Sequence, residues 1–514
     1  MCGILSIFSN ERIKNSCEYL KARGPEKYNV LYTDNATHIF YRLAINDTVS
    51  EEANQPFTSN NNSIVMMCNG EIYNFKQLEQ DYELKCKSNS DCEPILYLYK
   101  KFGFEETVNK LYGVYALLLV DNDIVYLARD RIGVRPLYFG LTQKGNFVVS
   151  SLPQSILDIC TSVQEFPPGM TAMFELNSVE KNKMLRCLNV DNIRLPMSRI
   201  SKTYKEIQNS LIKSVSMRLI SDRPVGCLLS GGLDSSIIAS VLTRLGVKLK
   251  TFSIGMHDSP DLISARTVAK SLLTEHTEVQ FSPQEGIDAI EEVIKVLGSY
   301  DITTIRASIP MYLLCKYISK NSNVKVVFSG EGSDELLGGY LYFHNAPSQE
   351  EFENETINLL NKLHNYDVLR ADRCISSNGL EPRVPFLDKD FVNLITSLPT
   401  NEKIPVNGIE KYSLRKAFEG FLPEEILWRR KEAFSDGVSH QNKSWYQYLQ
   451  EYINYKIPDI IFNSTKYPSK EAMYYRLIFE KHFPTYNFNI PYWLPKWSNE
   501  TRDPSARTLN LYKQ

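Results

Sequence analysis

Apolar and β-branched residues gather in short runs through the first part of the chain. Ile64–Cys68, Val114–Val120, Ile124–Ala128, Pro136–Leu141 and Phe147–Ser150 are separated by turn residues, a pattern that predicts strands. Asp121-Asn122-Asp123 sits between two of these runs as an expected hairpin turn. Helical spacing of apolar positions over Asn15–Ala22, Phe75–Gln80 and Glu93–Phe102 adds short helices. The expected architecture of this half is α+β, with stacked sheets and helices outside. A polar stretch without periodicity, Leu188–Ile200, predicts the domain boundary.

Beyond it the pattern alternates. Val225–Leu229 predicts a strand, Ser235–Leu245 a helix, Leu249–Met256 a strand, Asp261–Leu273 a helix, and Val324–Phe328 a further strand. Alternation of this kind implies an α/β domain with a parallel sheet and ligands beyond the carboxyl ends of its strands. Past Ser348 helical segments dominate, and the chain ends in an irregular tail. The expected division is residues 1–190 and 200–514.

At 514 residues the chain exceeds one ordinary core, which agrees with two domains. A formal charge of −2 gives no basic field to attract nucleic acid or an anionic membrane, so small molecules are the expected partners. The ten cysteines are scattered without a C-x-x-C pair, which predicts free thiols in a reducing compartment. There is no basic, apolar leader and no run of about 20 apolar residues, so a cytoplasmic location is expected. The seven histidines form no H-E-x-x-H motif or Cys/His cluster, which argues against a zinc enzyme.

The chain starts Met1-Cys2-Gly3-Ile4. Removal of Met1 would put the Cys2 thiol beside its own α-amine, whose pKa of about 7.7–8.0 suits a general base. Asn69-Gly70-Glu71 follows a predicted strand and could offer an amide and a backbone N–H to an oxyanion. Arg42 and Asp91 could pair with the carboxylate and α-amine of an amino acid. Each feature alone is as well read as a turn or surface charge. Together with Arg23-Gly24-Pro25, Ala128-Arg129-Asp130-Arg131-Ile132-Gly133 and Arg135-Pro136-Leu137-Tyr138, their order and spacing resemble the class II glutamine amidotransferases. The resemblance implies stacked antiparallel sheets, Cys2 as nucleophile, and Asn69 and Gly70 as oxyanion hole. It also implies that Arg42, Leu43, Ala44, Ile45 and Asn46, with Asn69, Gly70, Glu71 and Asp91, surround glutamine.

Leu228-Leu229-Ser230-Gly231-Gly232-Leu233-Asp234-Ser235-Ser236 joins a predicted strand to a predicted helix. Glycines let backbone N–H groups approach phosphate, Ser230, Ser235 and Ser236 supply hydroxyls, and a helix N-terminus favours anions. Asp234 would repel phosphate without a cation, so Mg²⁺ is implied. The plainer reading is a helix N-cap. No Walker motif is present. The run resembles the loop of enzymes that cleave ATP between its α and β phosphates, of the HUP or adenine-nucleotide α-hydrolase type. Ser329-Gly330-Glu331-Gly332-Ser333-Asp334-Glu335 follows another strand and could face it, with Asp334 as a second metal ligand and Ile254 lining the adenine pocket.

The segments Asp301–Ser308, Gly338-Gly339-Tyr340, Arg383–Asp388 and Trp428–Gly437 resemble the asparagine synthetase B family. That resemblance implies glutamine, aspartate and ATP as partners and allows a homodimer. It makes Leu228, Ser230, Gly231, Gly232, Asp234, Ser235, Ser236, Ile254, Ser329 and Gly330 ATP contacts. Lys431 would stabilise phosphate charge, and Glu331 would take a proton from ammonia. Pro382 departs from the family, which usually has a small non-proline residue there; it fixes its own φ and restricts Glu381, so the loop expected to carry it should sit slightly differently. Two other readings share the architecture: a β-lactam-synthetase-like cyclase, which needs no N-terminal Cys, and a non-catalytic paralogue.

Overall fold

The computed structural model describes residues 1–9, 17–59, 62–176, 183–191, 193–196, 198–485, 489–498 and 503–508. Among the described residues, twelve strands build the first half. They are β1 (Gly3–Ile7), β2 (Lys27–Tyr32), β3 (Thr37–Arg42), β4 (Phe57–Thr58), β5 (Ile64–Ile72), β6 (Gly113–Asp121), β7 (Ile124–Arg129), β8 (Tyr138–Thr142), β9 (Phe147–Ser150), β10 (Cys160–Glu165), β11 (Met170–Glu175) and β12 (Lys183–Asn189). They form two six-stranded antiparallel sheets, ordered β10-β8-β9-β1-β3-β2 and β12-β11-β7-β6-β5-β4. Alternate residues of each sheet point inward, and Ile4, Phe40, Val65, Met67, Leu118, Leu127, Phe147 and Phe174 interlock as the layer between them. The outer faces are also apolar. Glu18–Arg23 covers one through Leu20, and Phe75–Asp81, Pro94–Phe102 and Phe104–Lys110 cover the other through Phe75, Ile95 and Phe104.

The strands predicted for this half are all present as β5 to β9, with ends shifted by up to two residues except that β5 runs four residues past Cys68 to Ile72, while β1 to β4 and β10 to β12 were not foreseen. The hairpin at Asn122 forms, with that residue in left-handed backbone at φ 53°. Asn15 and Ser16 of the predicted first helix, and Asn192 and Met197 of the polar boundary segment, lie outside the described residues. So does much of the tail.

The second half holds a five-stranded parallel sheet, β15-β14-β13-β16-β17, made from β13 (Val225–Leu228), β14 (Lys250–Gly255), β15 (Glu275–Gln280), β16 (Val326–Phe328) and β17 (Glu381–Arg383). The chain runs outward from β13 through β14 and β15, then returns to the other side of β13 with β16. The carboxyl ends of β13 and β16 therefore flank a topological switch point, where open α/β sheets bind ligands. Leu233–Arg244 follows β13 and Ser333–Leu337 follows β16, and both helices start at that crevice. Pro382 lies in the edge strand β17, opposite Val327, rather than in a loop. An edge position tolerates the missing N–H.

The halves are joined by buried charge. Arg23 donates to Asp372 from two nitrogens, at 2.7 and 3.1 Å, and to the Ser376 hydroxyl at 2.8 Å. Arg383 contacts Glu71 at 3.0 Å, and Tyr112 donates to Asp388 at 2.7 Å. Buried pairs of this kind cost much when broken, because the remaining charge is left without water. None of the described helices is long and apolar enough to cross a membrane.

Candidate active sites

β1 and β5 lie in different sheets, and their packing sets Cys2 against Asn69. The Cys2 backbone N–H donates to Asn69 Oδ1 at 2.9 Å, and the Cys2 carbonyl accepts from Arg23 Nε at 3.1 Å. The backbone of Cys2 is thus held from both ends. Its half-buried thiol lies 3.9 Å from the Leu43 carbonyl. Burial pushes that thiol up, partly offset by the Met1 ammonium and the Arg42 guanidinium, so it holds its proton. The Met1 ammonium is itself buried, 3.2 Å from Glu381. The Asn69 side-chain nitrogen is buried without a hydrogen-bond acceptor, leaving a donor within β5, which runs on through Gly70 and Glu71 to Ile72 rather than ending before Asn69 as expected.

Arg42 ends β3, and Leu43 through Asn46 continue from it beside Cys2. Arg42 braces this segment through Nη1 and Nη2, donating to the carbonyls of Asn46 and Asp47 at 2.9 and 2.7 Å and to Asn54 Oδ1 at 2.8 Å. Ala44 N–H donates to Glu26, the Ala44 carbonyl accepts from Arg223, and the Ile45 carbonyl accepts from the backbone of Asp222. Asn46 Nδ2 donates to both Glu71 Oε2, at 3.0 Å, and Asp91 Oδ1, at 3.3 Å. Ile72 N–H fixes the other Asp91 oxygen at 2.8 Å. The sequence-predicted residues of this site therefore come together. Arg383, which holds Glu71, was not foreseen as part of it.

In the second crevice Ser230, Gly232, Asp234, Ser235, Leu228, Ile254, Ser329 and Gly330 all line one cavity, together with Glu331, Asp334 and Lys431. Gly231 and Ser236 do not line it, and the Ser236 hydroxyl is buried. Gly231 is required by geometry: its φ is 73°, and a Cβ there would lie 2.3 Å from the Ala265 nitrogen. Parallel pairing of β13 with β16 sets the two loops side by side, and the Ser333 hydroxyl donates to Asp234 at 2.7 Å.

Charge in this cavity is tightly balanced. Lys431 Nζ is 2.5 Å from Asp334 Oδ2 and 3.9 Å from Asp234. Lys411 Nζ is 2.7 Å from Asp334 Oδ1 and 2.7 Å from each oxygen of Asp234. Burial raises the Asp334 carboxyl, but the two ammoniums outweigh it and hold it well below the usual range. Asp334 Oδ1 has no aligned hydrogen bond despite its buried position. Glu331 Oε2 pairs with Arg370 at 2.7 Å. Burial pushes Glu331 up to about 7, against the pull of Arg370 and with a contribution from Asp367. Burial likewise lifts Asp261, on the cavity wall near Arg429, to about 7.

Lys411, Arg370, Asp261 and Arg429 went unrecognised in the sequence. Lys411 stands in Glu410-Lys411-Tyr412, which has no motif, and nothing local signals that it reaches Asp234, 177 residues away. Arg429 is the exception, since it lies two residues before Lys431 in a segment already singled out.

A cysteine whose backbone is held by Asn69, and a Gly-Ser loop beside Asp234 and Asp334, fit a glutamine amidotransferase joined to an ATP-dependent ligase. Residues 1–206 match the glutamine amidotransferase domain family, and residues 206–358 and 345–489 match the asparagine synthase family. The chain belongs to the glutamine-hydrolysing asparagine synthetases. It is 45% identical to asparagine synthetase [glutamine-hydrolyzing] from Gallus gallus over 561 aligned positions, covering 100% of this chain and 99% of that protein. Its identity to the Homo sapiens protein of the same description is 43%, with the same coverage. The Mus musculus protein is 42% identical over 560 positions, again with 100% and 99% covered. The cyclase and non-catalytic readings are not favoured by these matches.

Proposed function

We propose that the chain makes asparagine from aspartate, glutamine and ATP, releasing glutamate, AMP and pyrophosphate, with residues 1–190 as glutaminase and 200–514 as synthetase. The observation that carries this reading is the pairing of two separate centres in one chain: the Cys2–Asn69 contact at 2.9 Å and the Asp234–Asp334 cluster at the switch point.

Loss of Met1 turns the Cys2 nitrogen into an α-amine that can take the thiol proton, which burial otherwise retains. The thiolate attacks the glutamine side-chain carbonyl, with the unpartnered Asn69 nitrogen and the Gly70 N–H facing the oxyanion. Asp91 and Glu71 receive the α-ammonium of glutamine, and Arg42 faces its carboxylate. Loss of ammonia leaves a thioester, which water opens.

At the second centre Ser230, Gly232 and Ser235 face the polyphosphate, Ile254 the adenine, and Lys431 the charge that builds as pyrophosphate leaves. The donor set fits Mg²⁺: two carboxylates whose oxygens converge on one cationic point, with Asp334 Oδ1 lacking an aligned donor. Asp234 and Asp334 would hold the metal, which offsets phosphate charge when bound. Glu331 takes a proton from the attacking nitrogen once Arg370 releases it. Apolar side chains of both halves, among them Leu43, Tyr73 and Val114 with Leu229, Val384 and Leu387, form one buried cluster, which supports transfer of ammonia out of contact with water. All ten cysteines are free thiols, which supports a cytoplasmic location.

The test is to supply aspartate, ATP, Mg²⁺ and glutamine and to assay products. Asparagine, AMP and pyrophosphate should appear in equal amounts, and ADP with phosphate would sink the adenylation reading. A pH dependence follows from Glu331. A base with its pKa lifted to about 7 loses its acceptor form as pH falls, so kcat/KM for aspartate should drop below pH 7. Steady-state rates between pH 6 and 8 check this, and Glu331→Gln should remove that limb along with most of the activity.

A further inference from the structure

Lys411 occupies a costly position. Its side chain is 1% exposed, and its backbone is left-handed at φ 56°, which is unfavourable for a residue with a Cβ. Such an outlier persists only where its surroundings over-determine it, and it then points toward function. The surroundings here are specific. Gly339 passes so close that a Cβ would lie 2.0 Å from Lys411 Cε and 2.3 Å from Asp334 Oδ1. The next helix anchors the segment, with Arg415 donating to the Glu410 carbonyl at 2.8 Å. The result is an ammonium 2.7 Å from three oxygens of two aspartates on different loops.

We propose that Lys411 is a resident cation that keeps Asp234 and Asp334 together before nucleotide binds, and that it moves to the polyphosphate when a divalent cation takes those carboxylates. The inference rests on the reading of the two aspartates as metal ligands. A divalent ion and an ammonium cannot share one point between the same oxygens. Mg²⁺ needs oxygens at about 2.0–2.1 Å, so the carboxylates must close in as the ammonium withdraws. The incoming polyphosphate supplies the negative charge that a displaced, desolvated lysine requires. Before binding, two carboxylates are balanced by Lys411 and Lys431; after it, metal and nucleotide charge enter together. Metal alone must compete with a tethered ammonium, whereas metal with ATP does not. Lys411 therefore links metal affinity to nucleotide occupancy.

The probe is Mn²⁺ binding to the full-length chain, followed by electron paramagnetic resonance, first without nucleotide and then with a non-hydrolysable ATP analogue. The unaltered chain should bind Mn²⁺ weakly alone and at least about tenfold more tightly with the analogue. Lys411→Met should strengthen nucleotide-free Mn²⁺ binding about tenfold or more and shrink the gain from the analogue. Asp334→Asn should lose protein-dependent Mn²⁺ binding under both conditions. If Asp334→Asn leaves binding intact, the metal-site reading itself fails. If Asp334→Asn loses it but Lys411→Met binds nucleotide-free Mn²⁺ no better than the unaltered chain, the resident-cation inference alone is overturned. Lys411→Gln, which keeps a polar stem, serves if Lys411→Met does not fold. The unaltered chain provides an independent test: Asp334-dependent Mn²⁺ binding that is equally tight with and without the analogue also overturns the inference.

Discussion

Replacing Cys2 with alanine should cut glutamine-driven asparagine synthesis by on the order of 10³-fold or more, while synthesis from added ammonium salts continues near the original rate. The change removes the nucleophile and little else, because the contacts that hold residue 2 run through its backbone. Asn69 Oδ1 accepts from its N–H and Arg23 donates to its carbonyl, and both survive in the variant. Ammonia entering from solution bypasses the thiol and meets an unchanged second centre. Glutamate and asparagine release, measured with each nitrogen source in turn, separate the outcomes. Loss of both activities in a folded variant would contradict the division of labour between the halves.

The complementary experiment is Lys431→Ala. It should abolish synthesis from glutamine and ammonia alike, again by about 10³-fold, while glutaminase turnover persists. Lys431 lies 2.5 Å from Asp334, and its ammonium is held charged, since the nearby Asp334 and Asp234 outweigh burial. Without it the cavity keeps both carboxylates but has lost the cation that the proposed reaction sets against the departing pyrophosphate. Pyrophosphate release in the presence of aspartate is the direct measurement. A variant that still released pyrophosphate at the original rate would move Lys431 out of the chemistry.

The parts of this protein that were legible in its sequence are those built locally. A strand, a glycine turn and a helix start occupy consecutive residues, so the Ser230–Asp234 and Ser329–Asp334 loops could be placed before any fold was known. Cys2, Asn69 and Asp91 could be paired with a chemistry only as a set, because each alone is ordinary. What escaped was set by distance and by burial on both faces. β3 (Thr37–Arg42) is buried at every position, so it shows no inward–outward alternation. β2, its partner, is partly exposed throughout and carries no strong apolar stripe. Arg370, Asp261 and Lys411 reach the second centre from segments without a motif, and only packing brings them there. The expectation for Pro382 changed for a related reason. Proline in a loop and proline in an edge strand look alike until the sheet order is known.

The buried charge across the boundary has a consequence for anyone wishing to dissect this chain. Arg23 and Asp372, Arg383 and Glu71, and Tyr112 and Asp388 are each shared between the halves. Cut apart, the amidotransferase piece would keep a guanidinium and a glutamate built to face a vanished neighbour, and the ligase piece would keep their stranded counterparts. Sequence divides this protein into two modules more cleanly than its electrostatics does, so redesign that swaps one module must carry the seam residues with it.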